Sequence, residues 1–314
     1  MKMTIEEFGM ELKNELERRN PGMDVSLQKV TKLNSVELYG LSARNKEVNI
    51  APTIYLETPY DAYVAGDADL ETIVRSIESK LVSASRPSID ISWIENWEEA
   101  KDKIIPCIVS VDGNEEMLKS TVTYYEDNTG LAYYGRIAID DEFIGKASIL
   151  VKKELFKKWN VSECDYFHQL EDNATYMEGA VMMPMTNVLL SLHGIEKELS
   201  TNGAPYKITD EKDMLYVLTN HTRIYGAGVS FSQCIMDEIA DKIGDEYFVI
   251  PSSVHELLIA PRSSFKDAEE VSNLTDIIMS VNNTSVEKID VVSYNLYKYV
   301  KGEGLKLERL GTKF

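Results

Sequence analysis

The chain has 314 residues, of which 44% are hydrophobic and 27% charged, a composition typical of a folded protein with one or two domains. Its 33 Lys and Arg against 52 Asp and Glu give a formal net charge of −19, which disfavours non-specific binding to nucleic-acid phosphates and anionic membranes. No segment approaches the ~20 apolar residues of a membrane span, and the first residues lack the apolar core of a signal peptide. Three well-separated cysteines (Cys107, Cys164 and Cys234) form neither a disulfide framework nor a CxxC pair, so we expect a cytoplasmic protein.

Residues 1–88 are predicted to form an N-terminal α+β unit. Thr4 followed by Glu7 is a capping-box pattern, which marks the start of a helix. The predicted elements are a helix from 5 to 16, a β-hairpin from 25 to 38, a strand from 53 to 56 and an amphipathic helix from 70 to 81. The segment between the strand and the last helix is predicted to be a loop rich in tyrosine.

Residues 89–205 are predicted to form a middle segment of mixed structure, which is less regular than its neighbours. The expected elements are a short helix from 94 to 103, strands at 105–111, 120–125 and 131–139, a strand leading into a helix between 147 and 160, and a helix from 161 to 177.

Residues 206–314 are predicted to form a C-terminal α+β unit. The expected elements are strands at 215–219 and 224–231 joined by a turn at 220–222, a helix from 231 to 243 closed by Gly244, two strands around a turn at Pro251–Ser253, a helix from 271 to 281 and a strand from 291 to 300. Helices that alternate with hairpins favour the α+β class, with mainly antiparallel sheets and flanking helices. The first and last units share a similar order of helix and hairpin, and the chain is expected to pack as one or two globular domains.

The stretch Ile250–Pro261, "IPSSVHELLIAP", places a histidine beside a glutamate after two serines. A zinc-protease HExxH helix requires a second histidine four residues later, where this chain has Ile259. The run after His255 also favours a strand, and the serines lack the GxSxG turn of a hydrolase nucleophile. Ser252 and Ser253 are therefore interpreted as turn residues whose hydroxyls bond to the local backbone.

No cofactor or metal motif accompanies this stretch. The sequence has no GxGxxG that opens a helix and no P-loop. The four histidines, His168, His193, His221 and His255, show no metal-ligand spacing, and Cys234 lies in an apolar helix typical of a small core residue. We expect neither a cofactor nor a metal ion.

Several stretches, taken in order, resemble the domain-of-unknown-function 5688 family. The matching segments are Asn49–Leu56, Leu218–Asn220 followed by Tyr225–Ala227, Pro251–Glu256, and Val281–Thr284. The resemblance covers most of the chain and is looser around 119–145. It implies a shared fold and a cytosolic protein of bacterial, bacteriophage or mobile-element origin, and it supplies no catalytic residues.

Three functional hypotheses follow. The first is a non-enzymatic interaction or regulatory module that binds a protein partner, expected to be basic, through an acidic surface and tyrosine-lined grooves. The tyrosines that suggest such grooves are Tyr55, Tyr60, Tyr63, Tyr124, Tyr125, Tyr133 and Tyr134. The sequence predicts no particular oligomeric state.

The second hypothesis is an enzyme with a dispersed site. Its candidate residues are Asn220, His221, Ser253, His255 and Glu256. The two turns that carry these residues are expected to converge at one sheet edge, with His255 as general base and Glu256 or another carboxylate orienting it. The third hypothesis is an acidic inhibitor that mimics nucleic acid and blocks a nucleic-acid-handling defence complex. It requires the carboxylates to line one face.

Overall fold

The computed structural model describes residues 3–44, 53–83, 90–141, 145–177, 179–193 and 206–308. The chain divides into two compact units. The first comprises Met1–Ser92 with Asp140–Gly145, and the second comprises Trp93–Ile139 with Lys146–Phe314. Helices combined with mainly antiparallel sheets confirm the predicted α+β class. Within the described ranges no helix is long and apolar enough to cross a membrane.

Within the described ranges, the first unit contains three strands and three α-helices. In chain order they are α1 (Ile5–Arg19), β1 (Asp24–Thr31), β2 (Glu37–Arg44), β3 (Thr53–Tyr55), α2 (Glu57–Ala65) and α3 (Leu70–Ser83). The strands form an antiparallel sheet in the order β1-β2-β3. The predicted helix, hairpin, strand and second helix are therefore confirmed.

Helix α1 begins at the predicted capping box. The Glu7 amide N–H donates to Thr4 Oγ1 at 3.2 Å, and the Thr4 amide donates to the Glu7 carboxylate at 2.8 Å. These bonds satisfy backbone N–H groups that have no partner within the helix. The residues spaced along its apolar face, Phe8, Leu12 and Leu16, are fully buried in the core of the unit.

Helix α2 corrects the predicted tyrosine-rich loop. Pro59 suggests a break in the sequence, but it lies in the first turn of α2, where a missing N–H removes no intrahelical bond. Gly66 ends the helix with the left-handed φ of 86° that suits glycine. The rings of Tyr60 and Tyr63 pack on Phe8, with centroids 5.5 and 5.1 Å apart.

The part of the chain from residue 93 onward contains the remaining elements. They are α4 (Trp97–Ala100), β4 (Ile104–Ser110), α5 (Glu115–Ser120), β5 (Thr123–Glu126), β6 (Leu131–Asp141), β7 (Gly145–Leu150), α6 (Lys153–Trp159), α7 (Glu163–Asp172), β8 (Ala180–Pro184), α8 (Met185–Leu192), β9 (Lys207–Ile208), β10 (Tyr216–Asn220), α9 (Gln233–Ile243), β11 (Glu246–Ser253), β12 (Glu256–Pro261), α10 (Ala268–Thr284), β13 (Tyr297–Val300) and β14 (Gly304–Leu307).

These strands form two sheets. The smaller has the order β4-β6-β5, with β7 paired to β6. The larger has the order β14-β13-β11-β12-β10-β8-β9 and is antiparallel except for the β8–β9 pair. Strand β10 is buried at all five positions, and β11 at all but its first, which fits the apolar runs at Tyr216–Leu218 and Tyr247–Ile250. The larger sheet joins β8, from the predicted middle segment 89–205, to strands of the predicted unit 206–314.

Two predicted features of the C-terminal part are wrong. Residues predicted as a strand from 224 to 231 form a 3₁₀ helix at Gly226–Phe231. A side chain at Gly228 would place its Cβ 1.8 Å from the carbonyl oxygen of Pro106. The glycine therefore allows the 3₁₀ helix to lie directly against the backbone of β4. The predicted turn at Pro251–Ser253 belongs to β11, where a bulge between Pro251 and Ser253 accommodates the proline.

The end of the chain and the β8–α8 segment also differ from prediction. The strand predicted from 291 to 300 is shorter, beginning at Tyr297, and is followed by β14. Strand β8 and helix α8 have no counterpart among the predicted elements, and Pro184, the last residue of β8, is of a type common in loops. Proline is the residue immediately before α8, where its fixed φ is compatible with a helix start.

Candidate functional site

The predicted site residues surround the turn between β11 and β12. Ser253 ends β11 and pairs with Glu256, the first residue of β12, while Asn220 ends the adjacent β10. The Thr219 hydroxyl donates to the His255 carbonyl at 2.7 Å, and so joins the two turns at one end of the sheet. His221 is exposed, and within the described ranges no hydrogen bond or ion pair connects it to the other four residues.

The hydrogen-bond partners of His255 indicate which of its ring nitrogens carries the proton. The Tyr225 amide N–H donates to His255 Nδ1 at 3.2 Å, so Nδ1 is the acceptor nitrogen of a neutral imidazole. The proton then lies on Nε2, which is 3.8 Å from Asp290 Oδ1. Burial raises the pKa of the Asp290 carboxyl. Because the Nδ1 lone pair is already bonded, this geometry favours a structural role for His255 over that of a general base.

Backbone contacts tie the same turn to the Tyr225–Ala227 segment. A Cβ on Gly226 would lie 2.1 Å from Thr219 Oγ1 and 2.5 Å from the His255 carbonyl oxygen, so only glycine fits. The Ala227 amide donates to the Val254 carbonyl at 3.2 Å, and the His255 amide donates to Ser253 Oγ at 3.1 Å, as the sequence predicted for a turn serine. The motif segments Leu218–Asn220, Tyr225–Ala227 and Pro251–Glu256 therefore contact one another and stabilise one end of the sheet.

A pocket of about 450 Å³ lies elsewhere in the second unit. It is built from strand β5 and the facing part of β6, helix α7, the end of the 3₁₀ helix with the start of α9, and the β13–β14 turn. We call it the acidic aromatic pocket. Its lining residues are Tyr124, Glu126, Tyr133, Cys164, Phe167, His168, Glu171, Ser230, Phe231, Gln233, Met236, Tyr299, Gly302, Glu303, Gly304 and Leu305.

Four aromatic rings form one wall of this pocket. Phe231 is at their centre, with its centroid 4.9 Å from Tyr133, 5.4 Å from Tyr124 and 6.2 Å from Phe167. Tyr124 and Tyr133 are directly opposite each other in the β5–β6 ladder. The Tyr133 and Ser230 hydroxyls are hydrogen-bonded at 3.0 Å. The wall therefore presents the exposed ring of Tyr124, with the buried ring of Tyr133 behind it.

Three carboxylates complete the lining: Glu126, Glu171 and Glu303. Glu171 accepts a hydrogen bond from the Gln233 amide at 3.3 Å. Glu303 pairs with Lys306, which lowers the pKa of the Glu303 carboxyl. No Lys or Arg is among the described residues that line the pocket. The carboxylates therefore give it a negative potential.

Glu126 differs from the other two acids. It lies two residues from Tyr124 on β5, so both side chains project from the same face of the strand. The structure gives its partly buried carboxylate no hydrogen bond or ion pair within the described ranges. Burial raises the pKa of Glu126, and Asp127 raises it further. Its negative charge in turn contributes to the raised pKa values of Tyr124, Tyr133 and Tyr299, for which burial is the larger cause.

The pocket also contains a thiol, in the first turn of α7. Cys164 Sγ is 4.0 Å from His168 Nε2, one turn further along α7. Reactive thiolates are stabilised by neighbouring cations, whereas Cys164 is flanked in the chain by Glu163 and Asp165. Throughout the described ranges, no three His, Cys, Asp or Glu side chains are grouped so as to hold a metal ion.

Two of the tyrosines predicted to line grooves, Tyr124 and Tyr133, are among the lining residues of this pocket. Tyr133, like Tyr134, is almost fully buried. Glu126, Phe231 and Glu171 were not singled out. The alternation of Tyr124 and Glu126 on β5 was the available signal, since residues two apart share a face.

Comparison with known proteins gives one match. A family model described as a family of unknown function (DUF5688) matches residues 5–301 of the 314. No curated protein and no solved structure matches the chain.

Proposed function

The chain belongs to the DUF5688 family of unknown function, and we propose that it is a non-enzymatic interaction module that binds a basic segment of a protein partner. The segment would insert a cationic side chain into the acidic aromatic pocket. Glu126 would pair with this cation, and the aromatic wall would contact it.

One observation carries the proposal: the carboxylate of Glu126 is partly buried beside aromatic rings, and the described part of the chain gives it no partner. An unpaired carboxylate removed from water is unfavourable, and a cation from outside supplies the missing interaction. Aromatic faces attract cations through the ring quadrupole. A pocket of this size with a few polar groups has the character of a binding site.

The overall charge supports the same proposal. A net charge of −19 attracts basic partners over distances comparable to the Debye length, which is about 8 Å at physiological salt. Long-range attraction of this kind raises the association rate, while the pocket determines the dissociation rate. Affinity for a basic partner should therefore weaken as salt is added.

The test is a titration of fluorescently labelled peptides of equal length, one rich in Lys and Arg and one rich in Asp and Glu. We expect the basic peptide alone to bind, with an affinity that falls as salt rises. Glu126→Gln should weaken binding about tenfold, because it removes one charge from a desolvated contact. Glu154→Gln is the matched control, since Glu154 is exposed on α6 outside the pocket.

Equal weakening by Glu126→Gln and Glu154→Gln would show that only net charge matters, and would contradict the pocket as the binding site. Binding that is insensitive to salt, or partners from a host lysate that are neutral and salt-insensitive, would contradict the proposal as a whole.

A further inference from the structure

We infer that the cation recognised by the acidic aromatic pocket is a guanidinium, the side chain of an arginine in the partner, in preference to the ammonium of a lysine. This inference rests on the proposed function and specifies its ligand. Three properties of the pocket lead to it.

The first property is the partial burial of the pocket wall. Tyr133 is 1% exposed and the Glu126 side chain is half-buried, so a cation that pairs with Glu126 gives up part of its own hydration. Guanidinium is more weakly hydrated than ammonium, so an arginine loses less free energy on entry than a lysine.

The second property is the shape of the aromatic wall. Phe231, Tyr124 and Phe167 present tilted and edge-on rings around one centre. Tyr124 is 43% exposed, so its ring is open to a ligand. A planar guanidinium can stack on such a face and still direct its N–H groups sideways, whereas an ammonium has no plane to stack.

The third property is the distribution of acceptors. Oxygen atoms of Glu126, Glu171 and Ser230 come from three separate elements: strand β5, helix α7 and the 3₁₀ helix at Gly226–Phe231. A guanidinium has five N–H donors fixed in one plane and directed to different sides. It directs donors to more than one side of the pocket at once, while the three donors of an ammonium radiate from a single point.

The experiment compares two peptides of identical sequence whose basic positions are all Arg or all Lys, titrated against the full chain by isothermal titration calorimetry. Both peptides carry the same charge, so long-range attraction is equal. We expect the Arg peptide to bind about fivefold to tenfold more tightly. In Glu126→Gln the difference should shrink to less than about twofold, and in the control Glu154→Gln it should persist.

Small cations separate this inference from the proposed function. n-Butylguanidinium should displace the Arg peptide at lower concentration than n-butylammonium or tetramethylammonium. Equal binding of Arg and Lys peptides, with Glu126 still required, would overturn the guanidinium inference and leave the basic-partner proposal standing. Direct binding of n-butylguanidinium, measured by calorimetry, without binding of any peptide would support the guanidinium site and overturn the protein partner.

A variant of the wall provides a second test of the same inference. Phe231→Leu keeps an apolar side chain and removes the central ring, so the preference for Arg should fall to about twofold or less. If this variant unfolds, Glu171→Gln on α7 tests an acceptor instead and should reduce the Arg preference without affecting the fold. An unchanged preference for Arg in folded Phe231→Leu would count against stacking on the wall. An unchanged preference in folded Glu171→Gln would count against the use of several acceptors.

Discussion

We expect the position of Glu126 to lower the stability of the isolated protein at neutral pH. Its carboxylate is partly buried, and its pKa is raised by burial and by Asp127. A raised folded-state pKa means that the stability contribution is complete below the unfolded-state pKa and is lost as pH rises through the folded-state pKa. At neutral pH the ionised Glu126 therefore destabilises the fold, as expected of a residue retained for binding.

The first prediction is that Glu126→Gln raises the melting temperature at pH 7, on the order of 1 °C, because 1 kcal/mol corresponds to about 2–4 °C in a domain of this size. All three tryptophans lie in the second unit, so tryptophan fluorescence during heating reports on that unit. Glu154→Gln should leave the melting temperature unchanged. A lower melting temperature for Glu126→Gln would show that the carboxylate has a stabilising role.

The second prediction concerns the pH dependence of binding. Cation binding requires an ionised Glu126, whose pKa lies above the ordinary value. The affinity for a basic peptide should therefore begin to fall, on acidification, at a higher pH than an ordinary glutamate with a pKa of ~4.3 would cause. The other titratable groups around it are Asp127, Tyr124, Tyr133, Tyr299, Cys164, His168, Glu171 and Glu303.

Peptide affinity measured against pH at constant ionic strength checks this prediction. His168→Gln as background removes the imidazole charge from the comparison. The affinity of the His168→Gln variant should fall on acidification. The affinity of the double variant His168→Gln with Glu126→Gln should not. A fall that persists without Glu126 would assign the pH dependence to another group.

The third prediction separates a structural from a catalytic His255. His255→Ala removes the acceptor for the Tyr225 amide, which should reduce the free energy of unfolding by about 1–2 kcal/mol. His221→Ala, at an exposed position, should change it by less than about 0.5 kcal/mol. Urea unfolding followed by tryptophan fluorescence measures both. An unchanged stability for His255→Ala would remove the reason to regard this residue as structural.

At the scale of elements, the 3₁₀ helix at Gly226–Phe231 could not be predicted from the sequence. Its alternating residues predict a strand, yet Gly226 and Gly228 allow backbone contacts with His255 and Pro106 that only the folded chain reveals. Helix α1 was predictable, since its capping box and apolar spacing are local signals. Helix α2 was not, because Pro59 and Gly66 resemble turn residues until the helix between them is seen.

The fourth prediction tests the close contact at Gly226. Gly226→Ala would force its Cβ against the His255 carbonyl oxygen, and should cost about 2–3 kcal/mol or more. Gly22→Ala is the control, because its added Cβ meets no atom within 4 Å, and it should be neutral or slightly stabilising. Thermal unfolding by circular dichroism compares the two. Equal effects would contradict the packing of the two turns against each other.

At the scale of the whole molecule, the composition predicts the charge of the partner, whereas the fold determines where the partner binds. The excess of acids predicts an attraction for basic segments, wherever they bind. The pocket, by contrast, needs Glu126, Glu171 and Ser230, which are more than 100 residues apart at their extremes, to meet at one place. The alternation of Tyr124 and Glu126 on β5 is a local signal, but no local pattern brings Glu171 and Ser230 to the same place, so these two residues could not be predicted as their neighbours.

The most direct test of the central claim, that Glu126 pairs with a cation of the partner, is a double-mutant cycle. Dissociation constants are measured for wild type and Glu126→Gln, each with a basic peptide that carries either arginine or the neutral isostere citrulline at its tightest-binding position. We predict a coupling free energy above about 1 kcal/mol. Additive effects, with a coupling below about 0.3–0.5 kcal/mol at every basic position, would contradict the pairing and with it the assignment of the pocket.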